Sequence, residues 1–259
     1  MFFSVKYINI KLNQDYADFD DRTLIICDGI GEFPNSGIVS KIVVEQYISK
    51  KYKSISELIY DKKLLDLRQK GIEGGTTLIS AKINKSDKVE LEYLGNGGII
   101  HLHGDFSTNV NSEKPYRYGD LMNPHISPNG SLTKHISHNS EKQEMNSTKI
   151  TLNLNYTSGD IILLFSDGIS SLEDKVILLD NENRFWRIEN PAIQLILKEL
   201  NLFLKSNFNS ENFKESLIEF NGTILKKLKS ENYLEDDASL GFIITENVIN
   251  HYKEKLHND

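Results

Sequence analysis

The sequence predicts an α+β fold in which antiparallel sheets carry pairs of helices on their outer faces. Three observations lead there. Apolar runs of strand length recur along the chain, helical periodicity comes in adjacent pairs, and no segment repeats at a period of about 20–50 residues. A parallel doubly wound sheet would instead need strand and helix to alternate. The 259 residues, 39% hydrophobic and 26% charged, suit one domain spanning 1–259 whose core needs no covalent staples.

Residues 1–30 read as paired strands. Phe3–Ile10 alternates at period two, and Thr23–Cys27 is a continuous apolar run. Ser36 can cap a helix whose apolar positions, Ile38, Val39, Ile42, Val43, Tyr47 and Ile48, recur at helical spacing. A second helix is expected from Ser54, with a stripe running from Ile55 and Leu58 to Leu64 and Leu67, and a stop near Gly71. Strands follow at 76–83, 89–94 and 98–103. Segment 104–148 breaks the pattern, holding three of the five prolines and little periodicity. A stretch of that length is functional or mobile. Strands return at 151–155 and 161–165. Amphipathic helices are expected over 191–206, where Pro191 follows Asn190, and over 211–229. A strand at 239–245 and a polar tail complete the chain.

Composition excludes several functions. Thirty Lys and Arg face 37 Asp and Glu, for a net charge of −7, so no field draws in nucleic acid. The cluster Lys226-Lys227-Leu228-Lys229 suits the solvated end of a helix, where cations complement the macrodipole. No run approaches the roughly 18 apolar residues of a membrane span. Met1–Lys6 lacks the pattern of a secretory signal, so a cytoplasmic protein with no membrane partner is expected. The single cysteine, Cys27, excludes an intrachain disulfide. Lying in an apolar run, it reads as core.

The chemistry is carried by carboxylates at strand ends. Asp28 follows Leu24-Ile25-Ile26-Cys27 and precedes Gly29; Asp167 follows Ile161–Ser166 and precedes Gly168; Asp236 and Asp237 precede the run from Ala238 to Ile244. A buried strand delivers its terminal side chain to a fixed place, and several carboxylates delivered together need a compensating cation. An oxygen-only donor set points to Mg²⁺ or Mn²⁺. One Asp-Gly alone would be a turn. Three acidic strand ends in this order, with Gly75-Thr76-Thr77 between the first two, are more than that.

The ordered set resembles the metal-dependent Ser/Thr protein phosphatases, the PPM or type 2C family. The matching segments are Asn13-Gln14-Asp15, Asp28-Gly29-Ile30-Gly31, Gly75-Thr76-Thr77, Gly95-Asn96-Gly97-Gly98, Ser166-Asp167-Gly168 and Asp236-Asp237-Ala238-Ser239. They occur in family order and span about residues 13–244. The resemblance implies a four-layered antiparallel β-sandwich flanked by helix pairs, with a binuclear metal centre at one end and a flap over part of 104–148. It further implies that Asp28 bridges two Mn²⁺ or Mg²⁺ ions, that the Gly29 carbonyl binds one, and that Asp167 and Asp236 complete the other's shell. Asp15 would hold metal-bound water. The implied reaction is in-line attack of a metal-activated water on phosphoserine or phosphothreonine in a protein, opposing a Ser/Thr kinase.

The chain departs from the family pattern in four places. Ile10 stands where an Arg that binds substrate phosphate is often found, and Gln14 replaces a carboxylate. Asn96 replaces the aspartate of a third, weaker metal site, and Ile30-Gly31-Glu32 replaces Met-Gly-Gly. These departures keep a second reading open, a pseudophosphatase that binds a kinase or phosphoprotein without turnover. His101 and His103 share a strand face and His135 and His138 are three apart, but neither pair shows further zinc ligands. Satisfied or surface histidines are expected, and a flap histidine at His125, His135 or His138 would be the candidate for proton transfer.

Overall fold

The computed structural model describes residues 1–50, 52, 54–84, 87–104, 106, 116–140, 145–154, 159–171, 174–179 and 184–256. Two five-stranded antiparallel sheets lie face to face between two sets of helices, the four layers expected. In chain order the strands are β1 (Phe2–Ile8), β2 (Tyr16–Phe19), β3 (Thr23–Cys27), β4 (Gly75–Thr76), β5 (Leu78–Ile83), β6 (Lys88–Leu94) and β7 (Gly98–His103). Then come β8 (Arg117–Asp120), β9 (Ile136–Ser137), β10 (Thr148–Asn153), β11 (Asp160–Phe165), β12 (Asp174–Leu179), β13 (Arg184–Glu189) and β14 (Ala238–Ile244). One sheet has the order β1-β14-β11-β7-β8 and the other β10-β6-β5-β3-β2. The longer helices are α1 (Ser36–Lys50), α2 (Lys62–Gln69), α3 (Pro191–Asn207), α4 (Phe213–Ser230) and α5 (Glu246–Leu256), and a single helical turn, Asp167–Ser170, follows β11.

The continuous apolar runs have a simple cause. Ile161, Leu163 and Phe165 of β11 face the core under α3 and α4, while Ile162 and Leu164 face the opposite sheet. In β3, Ile25 and Cys27 lie under α1, and Leu24 and Ile26 lie between the sheets. A strand covered on both faces has no position left for a polar alternation. Each buried Leu or Ile contributes about 1.5–3 kcal/mol, which fixes the strand ends that carry the carboxylates. Cys27 is fully buried, as expected.

Four elements differ from the sequence reading. β1 does not pair with the next strands but with β14, from Phe2 opposite Ile244 to Ile8 opposite Ala238. β14 is apolar on both faces and central, so both of its edges need a partner, and β1 and β11 supply them. The helix expected from Ser54 is two: a 3-10 segment Ile55–Tyr60, then α2. Asp61 separates them, in extended geometry, and its carboxylate caps α2 by accepting from Lys63 N (2.8 Å) and Leu64 N (3.3 Å). The polar tail is α5, whose Val248, Ile249 and Tyr252 are buried, with Tyr252 donating to Asn201 Oδ1 at 3.0 Å. The antiparallel pair β12–β13 was not anticipated.

Of the segment 104–148, residues 105, 107–115 and 141–144 lie outside the described residues. The rest is not wholly irregular, since β8 extends the first sheet and β9 pairs with β4. Lys227 and Lys229 occupy the last turn of α4, as expected. Among the described residues no helix is long and apolar enough to cross a membrane.

The burial of Tyr252 makes α5 part of the fold rather than an appendage. Tyr252→Ala is expected to lower the unfolding free energy by about 3–5 kcal/mol, measured by urea denaturation. A loss below about 1 kcal/mol would mean that α5 contributes little to the core.

Candidate functional site

Asp28 leaves the end of β3 and is held there by backbone. Thr77 N donates to the Asp28 carbonyl at 2.8 Å and Thr76 Oγ1 donates to the same oxygen at 2.9 Å. Ile30 N donates to the Gly75 carbonyl, and Gly29 forms a bridge with Thr76. From α1, Ser40 donates to Thr76 Oγ1, and Ser36 donates to the Ile30 carbonyl at 2.6 Å while accepting from Gly75 N. Ser36 therefore ties the start of α1 to this turn rather than capping its own helix, as the sequence suggested. A side chain at Gly29 would place Cβ 2.5 Å from Gln14 Cβ. Only glycine allows the loop carrying Gln14 and Asp15 to pass so close.

Asp15 is buried, and both its hydroxyl partners donate to one oxygen. Ser166 Oγ lies 2.9 Å and Ser239 Oγ 2.8 Å from Asp15 Oδ2, while Oδ1 is buried without a hydrogen bond. Ser166 directly follows β11 and Ser239 is the second residue of β14, and adjacency of these strands puts the two side by side. The Asp28 carboxyl is close enough to those of Asp15 and Asp167 for each to act on its charge. Asp167 also accepts from Asn96 Nδ2, whose own Oδ1 is buried and unpartnered.

The electrostatics follow from this crowding. Burial raises the Asp15 carboxyl to about 6, against the opposing pull of the neighbouring Asp28 carboxyl and of the Ser239 and Ser166 hydroxyls. Burial first, then the charges of Asp15 and Asp167, hold Asp28 well above the usual carboxylate range. Burial pushes the Cys27 thiol up as well, which removes it as a nucleophile.

The structure thus brings together Asp15, Asp28 and Asp167, with Gly29 beside them. Asp236 lies exposed on the adjoining segment, where a Cβ on Gly168 would sit 2.1 Å from the Asp237 carbonyl and 3.3 Å from that of Asp236. Asp237 has a different task. Its carboxylate accepts from Ile10 N, Lys11 N and Gln14 N, at 2.5, 2.9 and 2.7 Å, and so fixes the loop that carries Asp15. The clamp roles of Ser166, Ser239 and Asp237 escaped sequence reading, although all three lie within the quoted motifs. Their partners are set by strand pairing, not by local spacing.

The remaining candidates are engaged elsewhere. Ile10 packs against the helix-side core. Arg22 precedes β3 at its opposite end, roughly 20 Å from Asp28 at strand rise. His125 accepts from Gly95 N at 3.1 Å through Nδ1, faces Thr148 Oγ1 at 2.8 Å through Nε2, and stacks on Tyr93, so both ring nitrogens are occupied. His138 is bound to the Gly74 backbone. His101 contacts Asp160 at 2.8 Å and stacks on His103.

The donor set fits a hard divalent cation: carboxylates, a backbone carbonyl, and two buried oxygens, Asp15 Oδ1 and Asn96 Oδ1, that lack a donor. Among the described residues no group of three His, Cys, Asp or Glu side chains is placed to hold a metal ion. The carboxyl groups approach in pairs instead, the arrangement of groups sharing protons.

No protein-family profile matches the sequence, and no curated protein matches it. Solved structures do resemble it. A sex-determining protein of C. elegans superposes with a TM-score of 0.61 at 13% identity, covering 97% of this chain and 66% of that one. The catalytic domain of the serine/threonine protein phosphatase PstP, solved with two manganese ions, gives 0.58 at 12% identity, covering 94% and 97%. The PPM Ser/Thr phosphatase MsPP from Mycobacterium smegmatis, solved with cacodylate, gives 0.57 at 12% identity, covering 94% and 97%. The resemblance read from the motifs therefore holds in three dimensions: this chain has the fold of the PPM-type phosphatases.

The raised carboxyls set the sign of a pH effect. Asp15 binds a proton up to about 6 when folded but only to the ordinary carboxylate value of 3.8 when unfolded. Between these values the native state binds more protons, so its stability falls as pH rises. Asp28 acts in the same direction. In chelator, the Tm difference between Asp15→Asn and the parent should grow in the variant's favour from about pH 4 to about pH 7. A constant difference would show that the cluster carries no such strain.

Proposed function

We propose that this chain is a Mn²⁺- or Mg²⁺-dependent phosphatase acting on phosphoserine and phosphothreonine in proteins, in one domain spanning the chain. The observation that carries the reading is the convergence of Asp15, Asp28 and Asp167 at one end of the sandwich, with two buried acceptor oxygens lacking donors. The fold and the two manganese ions of the PstP domain support it.

Asp28, lying between the other two carboxylates, would bridge the ions. The Gly29 carbonyl would bind one of them, and Asp167 and Asp236 would complete the set. When bound, two such ions would supply a more acidic water and positive charge for the phosphoryl oxygens. Asp15 would orient water through the oxygen its serines leave open. Asp237 holds the loop that delivers Asp15, and the Thr76-Thr77 segment holds the turn that delivers Asp28. Cys27 is fully buried and takes no part. The partner is a phosphorylated protein, and a Ser/Thr kinase opposes the activity.

Chelator-stripped protein should hydrolyse a small aryl phosphate only after Mn²⁺ or Mg²⁺ is restored. Asp28→Ala and Asp167→Ala should each lose more than about 100-fold, because outer-shell partners alone are worth 10–100-fold. Unchanged turnover in both folded variants would overturn the metal assignment. No turnover by folded parent protein with either ion would favour a module that binds phosphoprotein without hydrolysing it.

A further inference from the structure

We propose that Ser166 and Ser239 are positioning residues that fix which oxygen of Asp15 faces the divalent ions, and thereby set the affinity of the site for them. The inference rests on the metal-dependent reading and deepens it with residues outside the assigned ligand set.

The argument is one of proton accounting. Ser239 N donates to Ser166 Oγ at 2.9 Å, so that oxygen already serves as an acceptor, and its single proton is directed to Asp15 Oδ2 at 2.9 Å. The Ser239 hydroxyl has one proton and directs it to the same oxygen at 2.8 Å. Ser166 N in turn donates to the Ser239 carbonyl at 3.1 Å, which locks the two residues into one strand-to-strand unit. Both serines are buried, with relative exposures of 1% and 0%, so water does not substitute for either hydroxyl.

Two donors converging on Oδ2 leave it no reason to carry a proton. Any further donor, such as a bound water, must therefore meet Oδ1, which is buried and has no hydrogen bond. Rotation of the carboxylate would break two hydrogen bonds of the charge-assisted kind at once. Asp15 is thus presented as a fixed acceptor with a defined open oxygen. Such outer-shell contacts govern ligand basicity and orientation, and their loss typically costs 10–100-fold in metal affinity.

The test is Mn²⁺ binding by full-length, chelator-stripped protein, read by calorimetric titration and by the electron paramagnetic resonance of free Mn²⁺. Ser166→Ala and Ser239→Ala should each raise the Kd for Mn²⁺ by about tenfold. Ser239→Thr keeps the hydroxyl and should stay within about twofold of the parent, whereas Ser239→Val, its isostere, should behave as Ser239→Ala. Near-UV circular dichroism of the metal-free variants identifies any that fail to fold, and the Thr–Val pair differs only at the hydroxyl. Equal Kd values for Ser239→Thr and Ser239→Val, or parent-like binding by both alanine variants, would overturn the proposal while leaving the metal site intact. Absence of Mn²⁺ binding by the parent would overturn the metal-dependent reading and this proposal together.

Discussion

The constraint on which this structure turns is the mutual repulsion of three carboxyl groups held at the end of a sandwich. Two unit charges 4 Å apart at an effective dielectric of 20 repel by about 4 kcal/mol, and Asp28 has such a neighbour on either side. Protons or cations must relieve this, and the fold has no freedom to relieve it by separation. The three residues are attached to or hydrogen-bonded between strands whose side chains are buried on both faces. The stability of the core is what makes the carboxylate cluster possible.

That attachment also explains the polar residues around the cluster. Asp237 accepts three backbone N–H groups from the loop at residues 10–14, so a fourth carboxylate is used to fasten the chain that delivers the first. Thr76 and Thr77 hold the carbonyl of Asp28, and Ser36 and Ser40 reach the same turn from α1. Fastenings thus reach the site from α1 and from both sheets. A displacement of β3, β11 or β14 relative to the others would therefore be felt at Asp28, Asp167 or Asp15.

Much of this was legible in the sequence. The runs Leu24–Cys27, Ile161–Phe165 and Leu240–Ile244 announced two-faced burial, and the acids that end them announced a site. What could not be read was pairing across long separations: β1 with β14, or Ser166 beside Ser239, because nothing local in either segment encodes its neighbour. The α5 helix was obscured differently. Val248, Ile249, Tyr252 and Leu256 do recur at helical spacing, but they are sparse among charged residues, and a tail reading outweighed them. Asp61 shows the reverse case, a local signal for a helix start that sat inside an apolar stripe continuous enough to hide it.

The departures from the phosphatase pattern have a common electrostatic direction. Gln14 and Asn96 each stand where a carboxylate was expected, so the cluster carries fewer negative charges to be balanced. Neither is a bystander: Gln14 N meets Asp237, its side chain reaches the Phe33 carbonyl, and Asn96 donates an amide proton to Asp167. An amide in that position performs part of a cation's work, stabilising the Asp167 carboxylate without requiring an ion. Under the proposed metal-dependent reading, a site built this way would need fewer cations to be neutralised, and Asp28 and the open oxygen of Asp15 would carry more of the binding.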